Sequence, residues 1–158
     1  MILVLDNIRS TYNVGSLFRT ADSVGVSEIL ICGVTPDPVD RFGRNRSDIA
    51  KVALGAERKV LWSHFKTTIE AVEYLKEKGI LVIALEQSDK SEKYTDVGDN
   101  VSFEDSALIV GEETKGLNEE VLSVVDHIAE IPMSGTKESL NVSVAAGVAL
   151  FCFRDKKS

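Results

Sequence analysis

Ile131-Pro-Met-Ser-Gly135-Thr-Lys-Glu-Ser139-Leu-Asn141-Val-Ser-Val-Ala-Ala-Gly-Val-Ala-Leu-Phe-Cys-Phe-Arg154 carries the chain from a short apolar run, Ile128 to Ile131, through a polar loop into a strongly apolar segment. A β-branched run, a polar connection and a helix-length segment in that order form the building unit of an α/β domain. The helix is predicted from about Leu140 to Arg154. It is apolar almost all round, and in so short a chain a helix with little polar surface calls for cover from a second subunit as well as from the sheet. A homodimer is expected.

Upstream, the same alternation repeats. Strands are predicted at Ile2–Leu5, Ile29–Cys32, Val60–Trp62, Ile80–Leu85, Ala107–Val110 and Ile128–Ile131, with helices between most of them. This gives an α/β fold, a largely parallel sheet flanked by helices. The first helix is expected over Val14 to Val24, with Asn13 as candidate N-cap and Gly25 as its stop. Thr67-Thr-Ile-Glu70 is a capping-box pattern that opens another helix, which turns Ile69, Val72 and Leu75 inward and ends at Gly79. Residues 88–106 are polar and lack periodicity, and are read as a long connection.

The 158 residues suit one domain, and 44% hydrophobic with 27% charged residues excludes disorder. The longest apolar runs, Ile80 to Leu85 and Val142 to Phe153, are shorter than a membrane span and exclude a transmembrane helix. Met1-Ile-Leu-Val-Leu meets Asp6 at once, without the basic and apolar regions of a secretory leader. Cys32 and Cys152 lie far apart among apolar neighbours, as expected of free thiols in a reducing compartment. A cytoplasmic protein is expected.

The net charge of −7 opposes polyanion binding, but the acid is unevenly spread. Residues 1–60 hold 8 Lys/Arg against 7 Asp/Glu, a net of +1, whereas residues 61–158 hold 10 against 18, a net of −8. Within residues 41–59, Arg41, Arg44, Arg46, Lys51, Arg58 and Lys59 oppose Asp48 and Glu57, a local +4. A solvated loop and helix face explains such a stretch as well as a binding surface does.

Several machines are excluded. Gly111-Glu-Glu-Thr-Lys-Gly116-Leu-Asn has the glycine spacing of a phosphate loop, but lacks the following Lys-Ser/Thr and carries two acids that would repel phosphate. No Gly-x-Gly-x-x-Gly follows a strand, so a dinucleotide site of the usual kind has no support. His64 and His127 stand apart from Cys or carboxylate partners at ligand spacing, and no metal site is expected.

Three polar clusters remain, each after a strand and each leading into a helix, where ligands of open α/β sheets bind. Taken singly, Asn13 reads as a cap, Arg19 as a solvated helix residue and Ser139 as the cap of the last helix. Together, Asn13-Val-Gly15-Ser-Leu-Phe-Arg19-Thr-Ala-Asp22, Ile109-Val-Gly111-Glu-Glu113-Thr-Lys-Gly116-Leu and Ile131-Pro-Met-Ser-Gly135-Thr-Lys-Glu-Ser139-Leu-Asn141-Val-Ser-Val-Ala-Ala resemble the three motifs of the SpoU/TrmH-type RNA 2′-O-ribose methyltransferases of the SPOUT superfamily. The resemblance covers essentially the whole chain. It implies a single SPOUT catalytic domain without an appended RNA-binding domain, with a C-terminal trefoil knot that forms the S-adenosylmethionine site and a dimer built around the knot.

Residue by residue, the resemblance puts Gly111, Ile131 and Leu140 at the cofactor, with Leu85 as a weaker candidate. Asn13, Arg19, Glu113, Ser139 and Asn141 match positions tied to catalysis and to the target nucleotide. Arg41, Arg44, Arg46 and Lys51 become candidate RNA contacts. The implied substrate is structured RNA, with tRNA ahead of rRNA because the Val82-Ile-Ala-Leu-Glu-Gln87 segment and the expected lack of an appended domain resemble tRNA ribose methylases; rRNA, and a catalytically silent cofactor- or RNA-binding domain, are the alternatives. The family casts Arg19 as the group that activates the hydroxyl, but a guanidinium stays protonated, which suits a phosphate grip or alkoxide stabiliser better than a base.

Overall fold

The computed structural model describes residues 1–97 and 101–156. Among these, seven strands form one sheet in the order β3-β2-β1-β6-β4-β7-β5, every pairing parallel. The strands are β1 (Ile2–Asp6), β2 (Glu28–Cys32), β3 (Leu61–Phe65), β4 (Leu81–Leu85), β5 (Glu92–Lys93), β6 (Ser106–Gly111) and β7 (His127–Glu130). The helices are α1 (Thr11–Val24), α2 (Ser47–Ala53), α3 (Thr68–Glu77), α4 (Glu119–Leu122) and α5 (Val142–Asp155).

Strict alternation along the buried strands sorts the core into two layers. Leu3, Leu5, Ile29, Ile31, Ile83, Leu108 and Val110 pack with Leu17 and Phe18 of α1, Ile49 of α2 and Leu150 of α5. Val4, Leu30, Val82, Ala84 and Ile109 pack on the other face with Ala71, Val72 and Leu75 of α3 and Val121 of α4. Cys32 lies in this second layer, where burial pushes its thiol up to about 12. It is inert at neutral pH.

Local chemistry shifts several expected boundaries. Helix α1 starts at Thr11, because Ser10 rather than Asn13 is the N-cap: the Ser10 hydroxyl accepts the Asn13 N–H at 3.2 Å. Asn13 is thereby inside the first turn, free to use its side chain elsewhere. Gly25 stops the helix as expected, at φ 87° with its N–H on the Ala21 carbonyl. Thr67 caps α3 by accepting the Glu70 N–H at 3.2 Å, as the capping box requires. Helix α5 starts at Val142, capped by Asn141 and not by Ser139.

The edge strands account for the other differences. β3 runs to Phe65, beyond the expected Trp62, because an edge strand tolerates Ser63 and His64, which hide it in a hydrophobicity pattern. β5 lies inside the expected 88–106 connection, two polar residues paired with Ala129 and Glu130; residues 98–100 of that connection lie outside the described residues. All strands being parallel, the connections that follow β1, β4, β6 and β7 leave from the same edge of the sheet, from four strands that are neighbours in it. Open α/β sheets bind ligands at that edge.

Candidate active site

Gly111 closes β6, and its backbone is so tightly overlaid that a Cβ there would lie 2.8 Å from the Gly116 carbonyl carbon and 2.9 Å from the Leu117 nitrogen. The chain doubles back, with the Gly116 N–H on the Glu112 carbonyl at 2.9 Å and Gly116 itself at φ 63°. Glu86, just past β4, fastens this turn: its Oε2 accepts the Leu117 N–H at 2.8 Å and its Oε1 the Gln87 N–H at 2.9 Å. Gln87 in turn donates from Nε2 to the Glu138 carbonyl at 2.7 Å. The connections after β4, β6 and β7 are thus bound to one another.

Between them opens a cleft of about 310 Å³, within the size range of small-molecule sites. Leu85, Ile131, Leu140 and Val142 give it apolar walls, and Gly111 contributes its floor. Glu86, Glu113, Glu130 and Glu138 line it against one cation, Lys115. Such a charge balance repels phosphate and suits a ligand with cationic centres; S-adenosylmethionine, with its sulfonium and ammonium groups beside an apolar adenine, fits this donor set. All four residues expected at the cofactor, Gly111, Ile131, Leu140 and Leu85, border the cleft. Glu113 and Ser139 border it too.

A polar chain runs from the cleft into α1 and α5. The Asn13 side chain is buried and donates from Nδ2 to Glu113 Oε1 at 2.5 Å, while its Oδ1 accepts from Asn141 Nδ2 at 3.2 Å. Asn141 Oδ1 accepts both the Ser143 N–H at 2.9 Å and the Ser143 hydroxyl at 2.6 Å. One residue from each sequence cluster is therefore joined in a single network. Arg19 is not part of it. It is exposed on α1, beside a shallow furrow shared with Ser143, Val144, Gly147, Val148 and Phe151 of α5.

The basic segment follows β2 as expected. Helix α2 rides directly on α1, where a Cβ on Gly15 would lie 2.8 Å from the Ile49 carbonyl oxygen, so only glycine admits this approach. The +4 of the sequence already counts Asp48, and in three dimensions it falls by one because Asp40, just outside the counted stretch, joins it. Arg44 pairs with Asp40 and Arg46 with Asp48, each at 2.9 Å. The Arg44 N–H holds the Asp40 carboxyl below its ordinary range, and the Arg46 hydrogen bond does the same for Asp48. Arg41 and Lys51 have no ion pair among the described residues.

The histidines correct their expected isolation. His64 Nδ1 meets Asp37 at 2.6 Å and His127 Nδ1 meets Glu92 at 2.9 Å, because the parallel strands bring distant segments side by side. No group of three potential metal ligands occurs among the described residues. At the end of β1, Asp6 is buried, accepts from the Thr68 hydroxyl, and has its pKa raised by burial, with Glu112 adding to the rise. Glu86, Gln87 and Ser143 lie in stretches quoted from the sequence but were given no role in the site. The first two directly follow a strand predicted to Leu85, which is where a ligand-binding connection of an α/β sheet lies, and that position was the available signal.

Known proteins share this fold. The family model described as the SpoU rRNA Methylase family matches residues 1–151. A 23S rRNA (guanosine-2′-O-)-methyltransferase, RlmB of Neisseria meningitidis serogroup B, is 33% identical over 151 residues, covering 95% of this chain and 56% of that protein. The chain thus spans about half the length of the curated relatives it matches. The AdoMet-bound rRNA methyltransferase of Sinorhizobium meliloti superposes with a TM-score of 0.86 at 27% identity, over 98% of this chain and 55% of that one. A structure described as giving insight into the 2-OH methylation of C/U34 on tRNA superposes at 0.80 with 26% identity, over 98% of this chain and 94% of that one. No helix among the described residues is long and apolar enough to cross a membrane. The α/β fold, the acid-lined cleft and the family model agree: the chain belongs to the SpoU family of S-adenosylmethionine-dependent RNA methyltransferases.

Proposed function

We propose that this chain transfers a methyl group from S-adenosylmethionine to a ribose 2′-hydroxyl of structured RNA, with rRNA as the substrate class. The observation that carries this reading is the Glu113–Asn13–Asn141 network, which reaches the cleft through Glu113. The cofactor supplies an electrophilic methyl on sulfur. What remains for the chain is to aim a weakly acidic hydroxyl at that methyl and to stabilise the charge as its proton leaves.

Glu113 and Asn141 are suited to orienting the sugar, since Asn13 fixes both their side chains. Ser139, on the cleft wall, offers a further hydroxyl to the same sugar. Arg19 grips the target phosphate or stabilises the developing alkoxide. Arg19 makes no hydrogen bond to the network within one subunit, and a homodimer would supply it from the partner, with the α1–α5 furrow and its exposed Tyr12, Val144, Val148 and Phe151 as contact face. A second subunit seated there would bring its own Arg19 region against the first. The connection 131–141, bound to Gln87 and laid beside the 111–117 turn, is the segment that the C-terminal knot would thread.

The rRNA assignment reverses the order read from the sequence. The relative named above acts on 23S rRNA, which outweighs the Val82 to Gln87 segment as a guide. A tRNA substrate is the second reading, favoured by the tRNA-modifying structure that matches this chain over 94% of its own length. Incubation with methyl-labelled S-adenosylmethionine and separate unmodified rRNA and tRNA pools tests both. Label in the rRNA, lost in Arg19→Ala, is expected. Cofactor binding without transfer to either pool contradicts the reading and favours a silent domain.

A further inference from the structure

The connection between β2 and α2 contains a small built hairpin. Val39 and Asn45 form an antiparallel bridge that closes it. Inside it, Asp40 Oδ1 accepts the N–H groups of Phe42 at 2.8 Å and Arg44 at 3.0 Å, and Asp40 Oδ2 accepts from Arg44 Nε at 2.9 Å. The Gly43 N–H returns to the Asp40 carbonyl at 2.9 Å, with Gly43 at φ 75°. This many hydrogen bonds fix the loop tip, and what they hold out is Phe42, 66% exposed. Two guanidinium groups lie over the ring, Arg41 at 4.8 Å and Arg44 at 5.0 Å from its centroid.

A phenyl ring on a fixed tip contributes nothing to the core and loses hydrophobic stabilisation by its exposure. An aromatic face set among guanidinium groups does match one ligand well, an unpaired nucleobase with its phosphate. Arg44 is held by Asp40, whereas Arg41 has no ion pair among the described residues and is available to a phosphate. The connection that carries the hairpin leaves the ligand-binding edge of the sheet from β2, two strands from β6 and its terminal Gly111. No residue of the hairpin lines the cleft, so it suits a nucleotide other than the reacting one.

We propose that Phe42 is a stacking platform for an unpaired base of the RNA substrate, with Arg41 on the neighbouring phosphate. The proposal rests on the RNA reading above and deepens it: a base inside a duplex has no free face, so the substrate element is a loop or bulge.

The test is binding at low salt of a fluorescent twelve-residue oligoadenylate and of an abasic strand of the same length, followed by anisotropy, to the wild-type protein, Phe42→Ala and Phe42→Trp. Phe42→Ala should weaken the oligoadenylate about tenfold and leave the abasic strand unchanged, and Phe42→Trp should restore the loss. Equal affinities for wild type and Phe42→Ala, or an equal loss for both strands, would overturn the platform. If the wild type methylates RNA yet does not prefer the base-bearing strand, the platform alone falls. If it binds neither strand and transfers no methyl, the RNA reading falls with it.

Discussion

Asn13 Nδ2 lies 2.5 Å from Glu113 Oε1, so the first turn of α1 is fastened to the turn after β6, a hundred residues further along the chain. The other end of the same amide accepts from Asn141, the cap of α5. With donor and acceptor both engaged, the orientation of Asn13 is set by its partners, and theirs by it.

Asn13→Ala should therefore damage activity more than folding. Loss of a buried bridging amide costs about 1–3 kcal/mol, while misplacing Glu113 and Asn141 should slow methyl transfer about 100-fold. Urea unfolding and single-turnover transfer on one preparation separate the two effects. A variant with normal transfer would remove the network from the mechanism.

The turn at Gly111 should be sensitive to a single methyl. Gly111→Ala places a Cβ against Gly116 and Leu117, and the turn must open. We expect S-adenosylmethionine affinity, measured by calorimetry, to fall about tenfold or more; Glu86→Ala, which releases the Leu117 N–H, should act in the same direction less strongly. Unchanged affinity in both would place the cofactor elsewhere.

Asp6 gives a pH dependence of defined sign. Burial raises its folded-state pKa above the ordinary 3.8, so the folded protein holds this proton more tightly than the unfolded chain. Its contribution to stability is complete below 3.8 and is lost as pH rises through the raised value. Asp6→Asn keeps an acceptor for Thr68 and removes the ionisation, so the variant should gain on the wild type between about pH 4 and neutrality. Urea midpoints across that range would show it, and parallel curves would contradict it.

The α5 face predicts assembly. Val148→Asp places a charge in the furrow beside Arg19 and should convert a dimer to a monomer in sedimentation, with cofactor affinity retained and transfer lost. Mixing Arg19→Ala with Asn141→Ala subunits should recover part of the activity if each site draws on both chains.

The sequence was most informative where local rules and tertiary structure agree. Strand periodicity located β1, β2, β4 and β6, and the Thr67 capping box located α3. Asn13 shows the limit: as an N-cap it satisfied the local rule, but Ser10 does so one turn earlier and releases Asn13 for a contact that no local pattern encodes. The cap of α5 moved from Ser139 to Asn141 for the same reason, two residues apart with similar capping ability, and Asn141 also bonds Asn13. The candidate cofactor residues Gly111, Ile131 and Leu140 were legible through the motifs and Leu85 through its place at a strand end, whereas Glu86 and Gln87 act on backbone groups of other loops that only the fold brings near. Arg44 stood uncompensated in the charge count of residues 41–59 and is paired in the fold with Asp40, just outside that stretch.

The most direct test of the account is the position of the methyl group. RNA methylated by the purified protein would be hydrolysed with alkali and its products identified by mass spectrometry. A 2′-O-methyl group removes the nucleophile that alkali needs, so the account predicts the label in an alkali-resistant dinucleotide that yields one 2′-O-methylnucleoside, absent with Asn141→Ala. Label on a base, released in a mononucleotide, would contradict it.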